Sequence, residues 1–305
     1  METVPVGNVT HLGAAPSPEP LLQLGLGFWG SRALLSAVEL GVFSALSGGP
    51  LSLDELSGRL GLHQRGARDF LDTLVSLGLL ERDDRGYGNT IASDYYLDRD
   101  KPSYIGGLLE MASARLWRAW GSLTDSLRTG EPQSEVREAD DMFAALYADP
   151  RRLEGFLRAM TGVSLPTARV LAQQFPWDRY ASVADLGCAQ GGCIVELTRA
   201  HPHLRGYGFD LAPVAPIFSA YAERNGVGDR VQFVAGDFFS GPLPPAQVYI
   251  MGHILHDWDL SQKKHLLCAA HDALPPGGAL IVYDAMIDND RRSNTFGLLM
   301  SLNML

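Results

Sequence analysis

Apolar residues recur at helical spacing from Leu21 to Leu46, with Phe28, Trp29, Leu34, Leu35, Val38, Leu40, Val42 and Phe43 prominent. This period predicts two helices separated near Gly41. Ser52-Leu-Asp-Glu55 has the form of a capping box, whose hydroxyl and carboxylate satisfy N–H groups at the start of a helix running to about Leu60. A further apolar period from Gln64 to Leu77 stops at Gly78, and Leu79 to Thr90 reads as two short strands around a polar turn. Helix, helix and β-wing predict a mainly α winged-helix domain. Residues 101–130 form a helical segment carrying Met111, Leu116, Trp117, Trp120 and Leu123, and residues 131–141 are polar. A helix from Leu153 to Val163 puts Phe156, Met160 and, just beyond, Ser164 on one face, because positions i, i+4 and i+8 align.

From Ser182 onward strand and helix alternate. Strand-like runs end at Asp185, Asp210, Ala235, Gly252 and Tyr283, with helical runs at residues 193–200, 214–225 and 261–273 between them. Such alternation predicts an α/β domain built on a doubly wound, mostly parallel sheet, with its ligand at the carboxyl ends of the strands. The resulting division is an aperiodic, disordered leader over residues 1–19, a winged-helix domain over 20–100, a helical connector over 101–140 and the sheet domain over 141–305.

Of the 305 residues 46% are hydrophobic and 20% charged, a globular composition long enough for two domains. The formal net charge of −10 argues against a general nucleic-acid binder, because phosphate affinity comes from clustered Lys and Arg. The winged-helix segment agrees: its second helix balances Arg65 and Arg68 with Asp69 and Asp72. Cys188, Cys193 and Cys268 make an odd set without regular spacing, which points to a reduced, cytoplasmic setting rather than a disulfide framework. The N-terminus lacks the basic and apolar regions of a signal peptide, and no run of 18 apolar residues suggests a membrane span.

The candidate chemistry centres on Ser182-Val-Ala-Asp-Leu-Gly-Cys-Ala-Gln-Gly-Gly192, a strand, a tight glycine turn and the start of a helix, as in a Rossmann-like unit. Ala189 stands where a dinucleotide fingerprint wants glycine, whereas Asp185-x-Gly187-x-x-x-Gly191 puts an acid at the strand end, suited to an amine-bearing cofactor. Nineteen residues beyond Gly191, Asp210 ends a second strand and suits a ribose diol, with Leu211 next to it. Asp237 follows a third, in Val234-Ala-Gly-Asp237, placed for an adenine amino group with Phe238 over the ring. Three acids at three successive strand ends point to S-adenosyl-L-methionine, which carries an ammonium and a sulfonium and no phosphate.

With His253-Ile-Leu-His256-Asp257-Trp258 as a second motif, the chain from about Leu21 resembles a class I S-adenosylmethionine-dependent methyltransferase. It is similar to the small-molecule O-methyltransferases that join a winged-helix dimerisation domain to a Rossmann-like catalytic domain. The resemblance implies a homodimer, a small and aromatic hydroxyl acceptor, and His256 as general base, a role that suits an imidazole of unperturbed pKa ~6.5. It implies that Asp284 orients His256, that Ser164 meets the cofactor carboxylate, and that Phe156, Met160, His253, Leu299 and Asn303 line the acceptor pocket. Asp257 is expected to cap the following helix. Gly252 and His253 depart from the family's Lys-Trp pair. The family's last two strands and a second orienting acid would lie beyond Leu305.

Three other readings compete. His253, His256 and Asp257 invite a metal, which would support C-methylation of a small α-keto acid through a stabilised enolate, although a remote ligand is wanting. A winged-helix regulator with a degenerate methyltransferase domain would not need His256 and three cofactor acids. A nicotinamide-dependent dehydrogenase is disfavoured by Ala189 and by the lack of a hydride-transfer constellation.

Overall fold

The computed structural model describes residues 16–101, 103–131, 146–147 and 149–305. The expected leader and the polar linker fall mainly outside these residues. The stretch that reads as two helices forms three pieces, α1 (Glu19–Leu26), α2 (Phe28–Leu40) and α3 (Val42–Ala45). The expected break at Gly41 is joined by one at Gly27, where the chain stays right-handed and only bends.

Helix α4 (Leu53–Leu60) starts on the expected capping box: Glu55 N–H donates to Ser52 Oγ at 3.3 Å, and Ser52 N–H donates to Glu55 Oε2 at 2.9 Å. Helix α5 (Gln64–Ser76) follows, then the antiparallel wing β1 (Leu80–Asp83) and β2 (Gly86–Asn89), and α6 (Ile91–Leu97). The wing folds back onto α5, where Asp72 accepts from Tyr87 Oη at 2.6 Å and pairs with Arg82. Phe43, Leu56, Leu71, Leu74, Leu80 and Tyr87 fill the core between them.

The connector holds α7 (Gly106–Met111), a π turn (Ala112–Leu116), α8 (Trp117–Gly121) and α9 (Leu123–Thr129). Helix α10 (Pro150–Gln174) is longer than its sequence suggests and runs through Pro166, whose ring lies on the exposed face. Its buried face carries Leu153, Leu157, Leu165 and Ala168, and that packing offsets the one hydrogen bond the proline removes.

The sheet consists of β3 (Ser182–Leu186), β4 (Arg205–Asp210), β5 (Val231–Ala235), β6 (Val248–Gly252) and β7 (Ala279–Tyr283), all parallel in the order β5-β4-β3-β6-β7. Helices α11 (Gly192–Ala200), α12 (Ala215–Arg224), α13 (Leu260–Ala273) and α14 (Thr295–Asn303) complete the domain. Both faces of its central strands are buried. Val248 and Ile250 enter one cluster with Trp177, Ile194 and Phe218, while Tyr249 and Met251 enter another with Ala184, Leu186 and Phe209. The strand order reverses between β3 and β6, which opens the ligand crevice at their carboxyl ends.

Candidate active site

Strand β3 runs into a turn in which Gly187, Ala189 and Gly191 have φ of 76°, 50° and 94°. A Cβ at Gly187 would lie 2.3 Å from Ile254 Cδ1 and one at Gly191 2.7 Å from Phe218, so glycine is needed for space as well as for dihedral. Ala189 accepts the left-handed conformation because its N–H donates to Asp210 Oδ2 at 2.9 Å. Asp210 Oδ1 accepts from Leu211 N–H at 2.8 Å and from Tyr147 Oη at 3.1 Å. Burial raises the pKa of Asp210, and the N–H groups of Leu211 and Ala189 pull it back. Asp185 is pushed up to about 7, first by burial and then by the charge of Asp210. Neither acid is paired with a lysine or arginine among the described residues. Two buried acids beside an open glycine turn fit a ligand that brings positive charge and a diol.

The other expected cofactor contacts are more varied. Asp237 is exposed and holds its own turn, accepting from Phe239 N–H and Ser240 Oγ, both at 2.9 Å. Phe238 stands edge-on to Phe239 and Trp258, near Gly187. The Ser164 hydroxyl pairs with Tyr283, whose pKa burial drives up strongly. Leu211 leaves 39% of its surface open to solvent.

The histidine motif follows β6. His253 takes φ of 57° and its N–H donates to Tyr283 O at 3.0 Å, after which Leu255–Asp257 make a single 3-10 turn. This brings His256 against Asp284, just past β7. His256 Nδ1 lies 2.6 Å from Asp284 Oδ1, and His256 N–H donates to Asp284 Oδ2 at 3.2 Å. On the other side, His256 Nε2 lies 3.3 Å from Asp257 Oδ1. The His256 pKa is raised, chiefly by the hydrogen bond to Asp284, against burial and with help from the Asp257 charge. Burial works to raise Asp284, but the imidazoles of His253 and His256 hold it well below the usual carboxylate range. Asp257 is pushed up to about 6 by burial. It does not cap α13. Asp259 does, accepting from Gln262 N–H at 2.8 Å while Gln262 Oε1 accepts the Asp259 N–H in return at 3.2 Å.

Asp284 also supplies the remote ligand that the metal reading lacks. Ligand atoms of His253, His256 and Asp284 lie within 4.8 Å of one another. The 2.6 Å separation of His256 Nδ1 and Asp284 Oδ1 within this group has the length of a charge-assisted hydrogen bond. His253 Nε2 is buried without a partner among the described residues.

Of the expected acceptor residues, Phe156 and Met160 are half-buried on α10, where Phe156 packs against the core of the sheet domain. Leu299 is exposed on α14, and Asn303 Oδ1 accepts from Trp120 Nε1 at 2.9 Å. Sequence reasoning misses Tyr147, Tyr283 and the pairing role of Trp120, because aromatic residues in apolar runs read as core. The one available signal is that Tyr283 directly precedes Asp284.

A glycine turn between two buried acids that lack a lysine or arginine partner among the described residues, with a histidine–carboxylate pair across the same crevice, defines an S-adenosylmethionine-dependent methyltransferase. Residues 22–99 match the O-methyltransferase dimerisation domain and residues 120–305 the O-methyltransferase domain. The chain is 50% identical over 289 residues to the tetracenomycin polyketide synthesis 8-O-methyl transferase of Streptomyces glaucescens, a match covering 94% of this chain and 84% of that one. It is 38% identical to a N,N-dimethyltransferase of Streptomyces rimosus, over 92% of this chain and 82% of that one. The crystal structure of human N-acetylserotonin methyltransferase in complex with S-adenosylmethionine superposes with a TM-score of 0.87 at 30% identity, covering 96% of this chain and 87% of that one. The chain belongs to the O-methyltransferase family.

Proposed function

We propose that this protein methylates a hydroxyl group on a small polycyclic aromatic compound of the polyketide type, with His256 as general base. The 2.6 Å contact between His256 and Asp284, at the carboxyl end of the sheet beside the glycine turn, is the observation that carries this reading. The 50% identical relative named for tetracenomycin polyketide synthesis supports the acceptor class.

S-adenosylmethionine, when bound, supplies a methyl group on a sulfonium, and its transfer breaks a carbon–sulfur bond as the new oxygen–carbon bond forms. Asp210 receives the ribose diol and Asp185 the cationic amino acid end, with Gly187 and Gly191 leaving room for close approach. Leu211, Asp237 and Phe238 would hold the adenine, and Ser164 would meet the carboxylate. Asp284 accepts the Nδ1 hydrogen of His256 and so fixes the tautomer, leaving Nε2 to take the hydroxyl proton. Asp257, facing that same nitrogen, steadies the imidazolium that results. Phe156, Met160, His253, Leu299 and Asn303 border the acceptor.

The protein acts as a homodimer in a reducing, cytoplasmic setting. Buried free Cys188 and Cys193 suit that setting. Leu21, Leu22, Leu24, Phe28 and Trp29 lie exposed, and an apolar groove of about 560 Å³ lined by Phe28, Trp29, Arg32, Phe70 and Trp117 opens beside them. Glu19–Leu40 is long and apolar enough for a membrane span, with a mean hydropathy of 1.2. The match to a dimerisation domain favours a second copy as its cover.

The metal-assisted C-methylation reading draws support from the grouping of His253, His256 and Asp284. One assay separates the two. Phenolic and α-keto acid acceptors are incubated with S-adenosylmethionine, with and without a chelator, and the methylated products are analysed. Our reading expects O-methylated phenol at an undiminished rate under chelation; product only from the keto acid, lost with chelator, would refute it.

A further inference from the structure

Tyr283 ends β7 and lies opposite Gly252 in the register with β6. A Cβ at Gly252 would overlap both the Tyr283 ring and its hydroxyl, so the phenol crosses over the carboxyl end of β6, where the crevice opens. His253 holds it in place. Its N–H donates to Tyr283 O at 3.0 Å, and its ring stands edge-on to the phenol with 5.2 Å between centroids.

Successive side chains along a strand point to opposite faces. Asp284 reaches His256, and Tyr283 turns the other way, against the cluster that α10 and α11 share. There its hydroxyl meets Ser164 on α10 and Cys193 in the first turn of α11. The two helices close on each other at this point: a Cβ at Gly192 would lie 2.8 Å from Thr161 Cγ2, and Thr161 stands three residues before Ser164. Ser164 is thereby set beside the glycine turn. The charge of Asp185 acts on both Tyr283 and Cys193, so the four groups gather at one end of the crevice.

A phenol kept protonated by burial has one hydrogen to give. Sulfur is a weak acceptor, so that hydrogen goes to Ser164 Oγ rather than to Cys193. The Ser164 hydroxyl, held through a lone pair, keeps its own hydrogen free to donate.

We propose that Tyr283 is a positioning residue for the cofactor: its hydroxyl donates to Ser164 and so aims the Ser164 O–H at the cofactor's carboxylate. This rests on the placement of Ser164 at that carboxylate. One strand end then serves both sides of the reaction, the cofactor through Tyr283 and Ser164, the acceptor through Asp284 and His256.

The test is calorimetric and compares S-adenosylhomocysteine with 5′-methylthioadenosine, which shares the nucleoside and thioether but has no amino acid end. Tyr283→Phe keeps the ring over Gly252 and removes only the hydroxyl. It should weaken S-adenosylhomocysteine binding by about tenfold and leave methylthioadenosine unchanged. Ser164→Ala should do the same. The double variant should lose no more than the larger single loss, because both substitutions break one chain of hydrogen bonds. Equal losses for the two ligands in Tyr283→Phe would mark the tyrosine as packing and overturn the proposal, as would single losses that multiply in the double variant. If Ser164→Ala shows the selective loss and Tyr283→Phe does not, the proposal alone falls; if Ser164→Ala binds both ligands as before, the placement of Ser164 falls and the proposal with it.

Discussion

His256 sits between two carboxylates that both favour its protonated form, Asp284 on Nδ1 and Asp257 on Nε2. Only the neutral ring accepts a proton, so kcat should rise with pH through the raised His256 pKa and fall away below it. Replacing Asp284 by Asn removes the main raising cause. The acid limb of the kcat profile should then move to lower pH while kcat drops by roughly 10²–10⁴ through loss of the tautomer control. An unmoved limb would contradict the pairing. Asp185 makes a stability prediction of opposite slope. An acid of pKa ~3.9 when unfolded and about 7 when folded binds more protons in the folded state. Stability therefore declines as pH rises between those values. Asp185→Asn should raise the Tm of the unliganded protein at pH 8 by roughly 5 °C, seen in calorimetric scans, and should weaken S-adenosylmethionine binding. At this scale the acids and His256 are legible in sequence because each ends or follows a recognisable strand. Tyr147 and Tyr283 are not, since nothing in an apolar run marks which phenol turns toward a carboxylate. Asp257 offers itself as a helix cap, but Asp259 wins because a glutamine stands three residues beyond it.

Among the elements, those with chemical punctuation keep their expected bounds. The capping box fixes the start of α4, and the apolar runs of the sheet emerge as β3 to β7. Helix α10 is the main departure: the expected helix ends at Val163, and tertiary burial carries the observed one on through Pro166 to Gln174. The π turn at Ala112–Leu116 has no sequence signature at all. The turn after β3 is the element on which the site depends, and Gly191 has its largest positive φ. Gly191→Ala adds a Cβ against Phe218 to a φ of 94°. It should cost about 1–3 kcal/mol in urea unfolding and weaken cofactor affinity; wild-type values on both counts would show the turn to be tolerant.

For the whole molecule, the division of labour follows from where apolar surface remains. The sheet domain buries both faces of its central strands, whereas the first helices leave Leu24 at 82% and Trp29 at 62% exposure. A second copy would cover them. Leu24→Arg combined with Trp29→Glu should convert a dimer to a monomer in light scattering, and a variant that stays dimeric would place the interface elsewhere. The central claim concerns the base, and its most direct test separates binding from chemistry. S-adenosylmethionine affinity is measured by calorimetry and a single turnover of methyl transfer to a phenolic acceptor is followed, for the unsubstituted protein and for His256→Ala. The account predicts unchanged cofactor affinity with transfer slowed by about 10²–10⁴; transfer at the original rate would contradict it.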